Sequence, residues 1–196
     1  MGETVEILTD NSLTFTVHKN VLLQSPFFAT ALKPEWVSAR DGKPIDLTDV
    51  HPDTFAPYVQ WLYTHHIDTT FDTGKWARAY ALGEKLMDVE YQDDIIEVFM
   101  HECEAKREYP TGTQIAVIYG GTMAGSPARK LLVDFFCWAG GRSWMDDTNC
   151  AGMAPTDFIN DLLMTLLANK NTGFKGSRPW VAGPSAYFVG SRKKAE

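Results

Sequence analysis

Cysteine is scarce in this chain: Cys103, Cys137 and Cys150 are odd in number and widely spaced in 196 residues. Such a set excludes a disulfide framework and fits a reducing compartment. Long apolar runs are missing too, since none reaches the roughly 18 consecutive apolar residues that a membrane-spanning helix needs. The opening Met1-Gly2-Glu3-Thr4-Val5-Glu6 has neither the basic stretch nor the apolar core of a secretory signal, and Glu6 stands where a myristoylation signal requires Ser or Thr. The expected setting is intracellular, cytoplasmic or nuclear or both. Positive charge is also short, with 18 Lys and Arg against 25 Asp and Glu. From Gly173 on, five basic residues face one acid, a net of +4, so the chain's −7 leaves −11 on residues 1–172. An acidic body repels nucleic acid and anionic membrane, and neither is an expected partner. Arg192-Lys193-Lys194 is too short for a nuclear-import signal and reads as solvated tail.

Catalytic and metal-binding patterns are equally thin. His18 has no Asp, Cys or second His at a productive spacing and reads as a hydrogen-bonded histidine at a strand end. His65-His66 are adjacent on an extended loop and point to opposite sides, with no Cys-x-x-Cys or His-x-x-x-His nearby. Gly120 to Ser126 lacks the Gly-Lys-Ser/Thr of a phosphate loop, and Pro127 removes an amide where a phosphate would want one. Cys103 and Cys137 sit in apolar helical runs, no Gly-x-Ser-x-Gly elbow occurs, and Asp93-Asp94 and Asp146-Asp147 read as solvated acid pairs. No catalytic residue, cofactor or metal site is expected. An enzyme with its site in residues 107–170 is disfavoured, because that segment shows no nucleophile paired with a base.

What is present is a foldable chain, 44% apolar and 22% charged, enough to bury a core. Alternation of Val5 and Ile7, then of Leu13, Phe15 and Val17, predicts a hairpin over 4–18 with Asp10-Asn11-Ser12 as its turn. Helical spacing over 19–33 is broken at Pro26, giving two short helices with Ser25 as the second cap. Pro44-Ile45-Asp46-Leu47 is a short strand. Pro52 starts a helix with Phe55, Tyr58, Val59 and Leu62 inward. Helices follow over about 75–87, with Trp76, Tyr80 and Met87 on the stripe, and about 91–106, with Tyr91, Ile95, Phe99 and Cys103. Residues 107–125 read as a linker whose apolar stretch Ile115–Tyr119 has no assigned state. Ser126-Pro127 open a helix to about Ala139, with Leu131, Leu132, Phe135 and Phe136 inward. A last helix near 155–169 has Phe158, Leu162, Leu163, Leu166 and Leu167 as its buried face. Residues 171–196, rich in Gly, Pro and Ser, read as flexible.

Five blocks carry a resemblance on this order of elements. They are Phe15-Thr16-Val17-His18-Lys19-Asn20-Val21-Leu22, Ser25-Pro26-Phe27-Phe28, Ile45-Asp46-Leu47-Thr48-Asp49, Phe55 with Trp61-Leu62-Tyr63-Thr64, and Ala79-Tyr80-Ala81-Leu82. In that order they resemble the BTB/POZ domain family over about residues 3–106, and with Trp36 and Ser126–Asp134 the chain is similar to short fungal BTB domain-containing proteins. His65 stands where the family usually has Gly after Tyr-Thr.

The resemblance implies an α+β fold, a small mixed three-stranded sheet flanked by helical hairpins, with a C-terminal helical extension. It divides the chain into a BTB/POZ-like domain (1–106), a linker (107–125), the helical extension (126–170) and a flexible tail (171–196). It implies a non-enzymatic protein-interaction module that forms a homodimer, with Val5, Phe27, Leu32 and Trp36 as interface candidates. Trp36 lies in a polar loop by sequence, as a partner contact or as a lid on the helix pair. The alternative is a substrate adaptor for a cullin-based ubiquitin ligase. Family members of that kind carry an apolar-x-Glu motif where this chain has Trp36-Val37-Ser38, which lacks the acid, so cullin binding is unsupported.

Overall fold

The computed structural model describes residues 2–68, 73–146 and 152–190. Alternation at the N-terminus gives the hairpin the sequence predicts. β1 (Thr4–Thr9) and β2 (Thr14–His18) pair antiparallel, with Val5 opposite Val17 and Ile7 opposite Phe15. The two-residue period buries Ile7 and Val17 on one face, with Val5 and Phe15 half-buried against the same core. At the turn Asn11 and Ser12 take positive φ, and the Asn11 N–H donates to Asp10 Oδ1 at 2.7 Å. β3 (Ile45–Leu47) then runs parallel to β1, so the order is β2-β1-β3 and the sheet is mixed, as expected.

A parallel neighbour needs a crossover. Three short helices supply it: α1 (Lys19–Leu22), α2 (Pro26–Ala31) and α3 (Pro34–Arg40). Ser25 and Pro26 open α2 as expected, although the Ser25 hydroxyl makes no capping bond. α3 corrects the sequence reading, which puts Trp36 in a loop. The segment holds a complete set of start and stop signals: Pro34 at the first position, Glu35 in the first turn, Arg40 in the last, and Asp41 in a left-handed stop. Its polar composition reflects an exposed helix rather than a loop.

α4 (Pro52–Thr64) buries Phe55, Tyr58 and Leu62 as its spacing predicts, and Trp61 with them. α5 (Thr73–Lys85) and α6 (Val89–Lys106) form a helical hairpin that buries Trp76, Tyr80, Tyr91, Ile95, Phe99 and Cys103. Met87 departs from its stripe. The helix ends at Lys85, Met87 adopts a φ of 54°, and its side chain is 60% exposed.

The stretch read as a linker holds α7 (Gly112–Gly121), packed on α5 with Ile115 and Ile118 buried. Gly121 permits that approach, because a Cβ there would lie 2.6 Å from the Ala81 Cβ. α8 (Pro127–Trp138) follows prediction, with Leu131, Leu132, Phe135 and Phe136 buried, although its Ser126 cap makes no side-chain bond. α9 (Thr156–Ala168) is where the sequence predicts it, but only Phe158 and Leu162 are buried. Leu163, Leu166 and Leu167, expected inside, are exposed because α8 and α7 cover only one narrow stripe of the helix.

The tail read as flexible, residues 171–196, is packed on the fold where it is described, up to Gly190. It forms α10 (Pro179–Ala182) and a 3-10 turn over Pro184–Tyr187, with Trp180 and Tyr187 buried. One hydrophobic cluster runs from Ile7 in the sheet through all the helical hairpins to Tyr187.

Candidate interaction surface

α2 and α3 are fastened to each other where Arg40 Nη1 donates to the Ala31 carbonyl at 2.5 Å. α3 begins on Lys33, whose carbonyl accepts the Trp36 and Val37 amides at 3.0 Å each. That phase turns the Trp36 indole outward, 55% exposed, with Val37 exposed beside it. Phe27 on α2 rests edge-on against the buried Phe28, ring centroids 5.1 Å apart, and Phe28 leads on to Phe55 in the core. Between the helices lies a groove of about 390 Å³ whose walls are Phe27, Thr30, Ala31, Trp36, Ala39, Arg40 and Met87. Apart from Arg40 and the Thr30 hydroxyl its walls are apolar. Met87 closes one side from the α5–α6 connection, held outward by its left-handed backbone, a strained conformation for a side chain with a Cβ.

Of the four residues proposed from the sequence, the groove brings together Phe27 and Trp36. Leu32 ends α2, half-buried against the core, and lies outside the groove walls. Val5 sits on the half of β1 that β3 does not reach, since β3 pairs only with Ile7, Leu8 and Thr9. Sequence reasoning missed Met87 and Arg40. Met87 falls on the inward stripe by spacing, and only the helix stop at Lys85 turns it out.

His18 ends β2 and caps α1, as a hydrogen-bonded strand-end histidine. Its backbone N–H donates to Tyr63 Oη at 3.2 Å, and His18 Nδ1 shares a hydrogen bond with the same oxygen, 2.6 Å away. The surrounding hollow of about 520 Å³ contains the Lys19–Glu3 ion pair, and no Ser, Thr or Cys lines it. His65 Nε2 lies 3.1 Å from Gln24 Oε1. No group of three His, Cys, Asp or Glu side chains among the described residues is arranged to hold a metal ion.

The cysteines and acids take structural places. Burial, then the Asp134 charge, pushes the Cys137 thiol up to about 11, and burial raises Cys103 further. Cys150 and Asp147 lie outside the described residues. Asp93 and Asp94 overturn the solvated-pair reading: Asp93 is 2% exposed and accepts the Val189 and Gly190 amides, while Asp94 accepts from Trp61 Nε1 at 2.7 Å. The glycine-rich stretch ends in a clasp, where Arg129 donates to the Tyr119 carbonyl at 2.8 Å and to Thr122, with its guanidinium 4.5 Å from the Tyr119 ring centre.

No helix among the described residues is long and apolar enough to cross a membrane. The family model of the BTB/POZ domain matches residues 4–104, a little over half of the chain. No curated protein and no solved structure matches it. A mixed sheet crossed by short helices, the helical hairpins behind it and the matched residues agree: the chain belongs to the BTB/POZ domain family, whose members are protein–protein interaction modules.

Proposed function

We propose that this chain is a non-enzymatic module that self-associates as a homodimer, using the Phe27–Trp36 groove together with Val5 and Leu32. The observation that carries the proposal is the exposed Trp36 on a wall of an apolar groove. Large aromatic rings are the commonest energetic anchors of interfaces, and an exposed indole beside apolar walls gains most when a partner covers it. The half of β1 that β3 does not reach adds a sheet edge at Thr4 and Glu6, on either side of Val5. An isologous interface built from these parts needs to bury more than about 1,000 Å² in total.

The adaptor reading is weaker. Trp36 and Val37 are exposed on α3, but Ser38 stands where the resemblance calls for an acid. A pull-down with a cullin N-terminal region is expected to recover nothing. An intracellular setting is supported by Cys103 and Cys137, which are free thiols. Residues 1–106 form the interaction domain in this proposal, with 126–170 as a packed extension. Light scattering at micromolar concentration is expected to give twice the 21.9 kDa chain mass; a monomer at that concentration refutes self-association.

A further inference from the structure

The C-terminal segment from Arg178 to Gly190 lies across α6 and α8 and is held there by three carboxylates. Glu104 takes two bonds from Arg178 Nη1, at 3.0 and 2.8 Å, and one from Trp180 Nε1 at 3.2 Å; Tyr109 Oη accepts a further bond from Arg178. Asp134 accepts from Tyr187 Oη at 2.6 Å, and Lys130 Nζ lies 4.0 Å from the centre of the same ring. Asp93 accepts the Val189 amide at 2.6 Å and the Gly190 amide at 3.1 Å. Between these anchors Trp180 stands edge-on to Phe135, centroids 4.6 Å apart, and is 3% exposed. A Cβ at Gly190 would lie 2.8 Å from Val89 Cγ1 and 3.1 Å from Asp93 Oδ2, so a larger residue there must displace a side chain of the slot.

This is the anatomy of a bound peptide. The receptor face offers carboxylates and an aromatic slot; the segment offers a basic residue, a tryptophan, a tyrosine and two backbone amides at matching spacing. The segment has little cohesion of its own: α10 and the 3-10 turn are four residues each, too short to stand without the face beneath them. It is joined to α9 by Asn169–Ser177, which contains no helix or strand and has positive φ at Gly173 and Gly176. A connection without helix or strand, leading to a short docking segment, is the arrangement in which identical elements trade places between copies.

We propose that the α6–α8 face is a peptide-binding slot and that the Arg178–Gly190 strap is its exchangeable ligand, able to dock in the slot of a second copy of this chain. The one charge on the strap matches its receptor: Arg178 meets Glu104, and that ion pair is only partly shielded, with both side chains 29% exposed. In a single chain, tethering favours the chain's own slot, so exchange appears when the cis fit is spoiled and the trans fit restored.

Two full-length variants do this. Glu104→Lys makes the slot repel its own Arg178, although Arg107, which also pairs with Glu104, then faces a like charge. Arg178→Glu makes the strap repel its own Glu104. Both carry Trp36→Glu, so that the groove of the proposed homodimer does not contribute. Each variant alone is expected to lose at least tenfold in hydrogen-exchange protection at Val189 and Gly190, with its far-ultraviolet circular dichroism kept. Mixing them puts the Arg178→Glu strap on the Glu104→Lys slot and the unaltered strap on the unaltered slot. Protection is then expected to return, together with a 1:1 complex of the two variants. Protection that never returns on mixing overturns the proposal, as does full protection in the separate variants. Loss of the helical signal in either also overturns it, because the strap would then be integral to folding. In the unaltered chain, the Val189 and Gly190 amides are expected to exchange at least tenfold faster than the amides of Ile95 and Phe99; equal rates contradict a detachable strap.

Discussion

Asp88 connects two parts of the core through one carboxylate. Its Oδ1 accepts the Tyr91 amide at 3.1 Å, capping α6, and its Oδ2 accepts from Tyr58 Oη at 2.7 Å, tying α4 to the same point. Both bonds are buried, so Asp88→Ala removes a cap and strands a phenol, and is expected to cost about 2–4 kcal/mol in urea unfolding. His65 is another residue whose place follows from the backbone. It has a φ of 48° at the end of α4, where the resemblance expects Gly, and its ring lies edge-on to Trp61 with centroids 5.3 Å apart. His65→Gly relieves the backbone while losing the ring contact, and is expected to change stability by less than about 0.5 kcal/mol. His65→Ala keeps the strain and loses the contact, and is expected to cost about 1 kcal/mol in thermal unfolding. The Tyr-Thr-His sequence made that position legible; the partners that hold it, Trp61 and Gln24, were not.

At the scale of elements, legibility depended on whether a signal was local. The hairpin, α4, α6 and α8 follow from period and caps alone. α7 was legible in part: Thr111 and Gln114 stand in the spacing of a capping box, and the Thr111 amide does donate to Gln114 Oε1 at 2.9 Å. The glycines around the helix hid it, because Gly121 serves contact with α5 rather than flexibility. Ile118→Ala, in a segment that reads as a linker, is therefore expected to cost about 2–4 kcal/mol by urea denaturation, as a core residue would. α9 failed in the opposite direction. Its spacing marks an apolar face but not how much of that face a neighbour covers, and here Phe158 and Leu162 take the whole contact. The tail was misread for a related reason. Gly, Pro and Ser report the absence of a local preference, whereas Trp180 and Tyr187 are ordered by acids far away in sequence.

At the scale of the whole molecule, buried phenols make stability depend on alkaline pH. Burial raises Tyr58, Tyr91, Tyr119 and Tyr187, with nearby carboxylates adding to it, and lifts Tyr80 and Tyr109 to about 12 from the ordinary phenol value of 10.0. A folded-state pKa above the unfolded one contributes stability that is complete below pH 10 and is lost as pH rises through the folded value. The melting temperature is accordingly expected to hold on approach to pH 10 from below and then fall steeply, tracked by circular dichroism. The same single core also bears on function: it leaves the described residues with tyrosine–carboxylate pairs that stabilise, and it presents the α2–α3 groove as an apolar surface for a partner. The fold and the family of this surface were legible from five short blocks; the groove's third wall, Met87, was not, because it depends on where one helix stops.

The direct test is the self-association constant measured by sedimentation over a dilution series, for the wild type and for Trp36→Glu. The account predicts a reversible dimer for the wild type, weakened at least tenfold by a charge in the groove while circular dichroism stays unchanged. A wild type that stays monomeric, or a dimer indifferent to the charge, contradicts it.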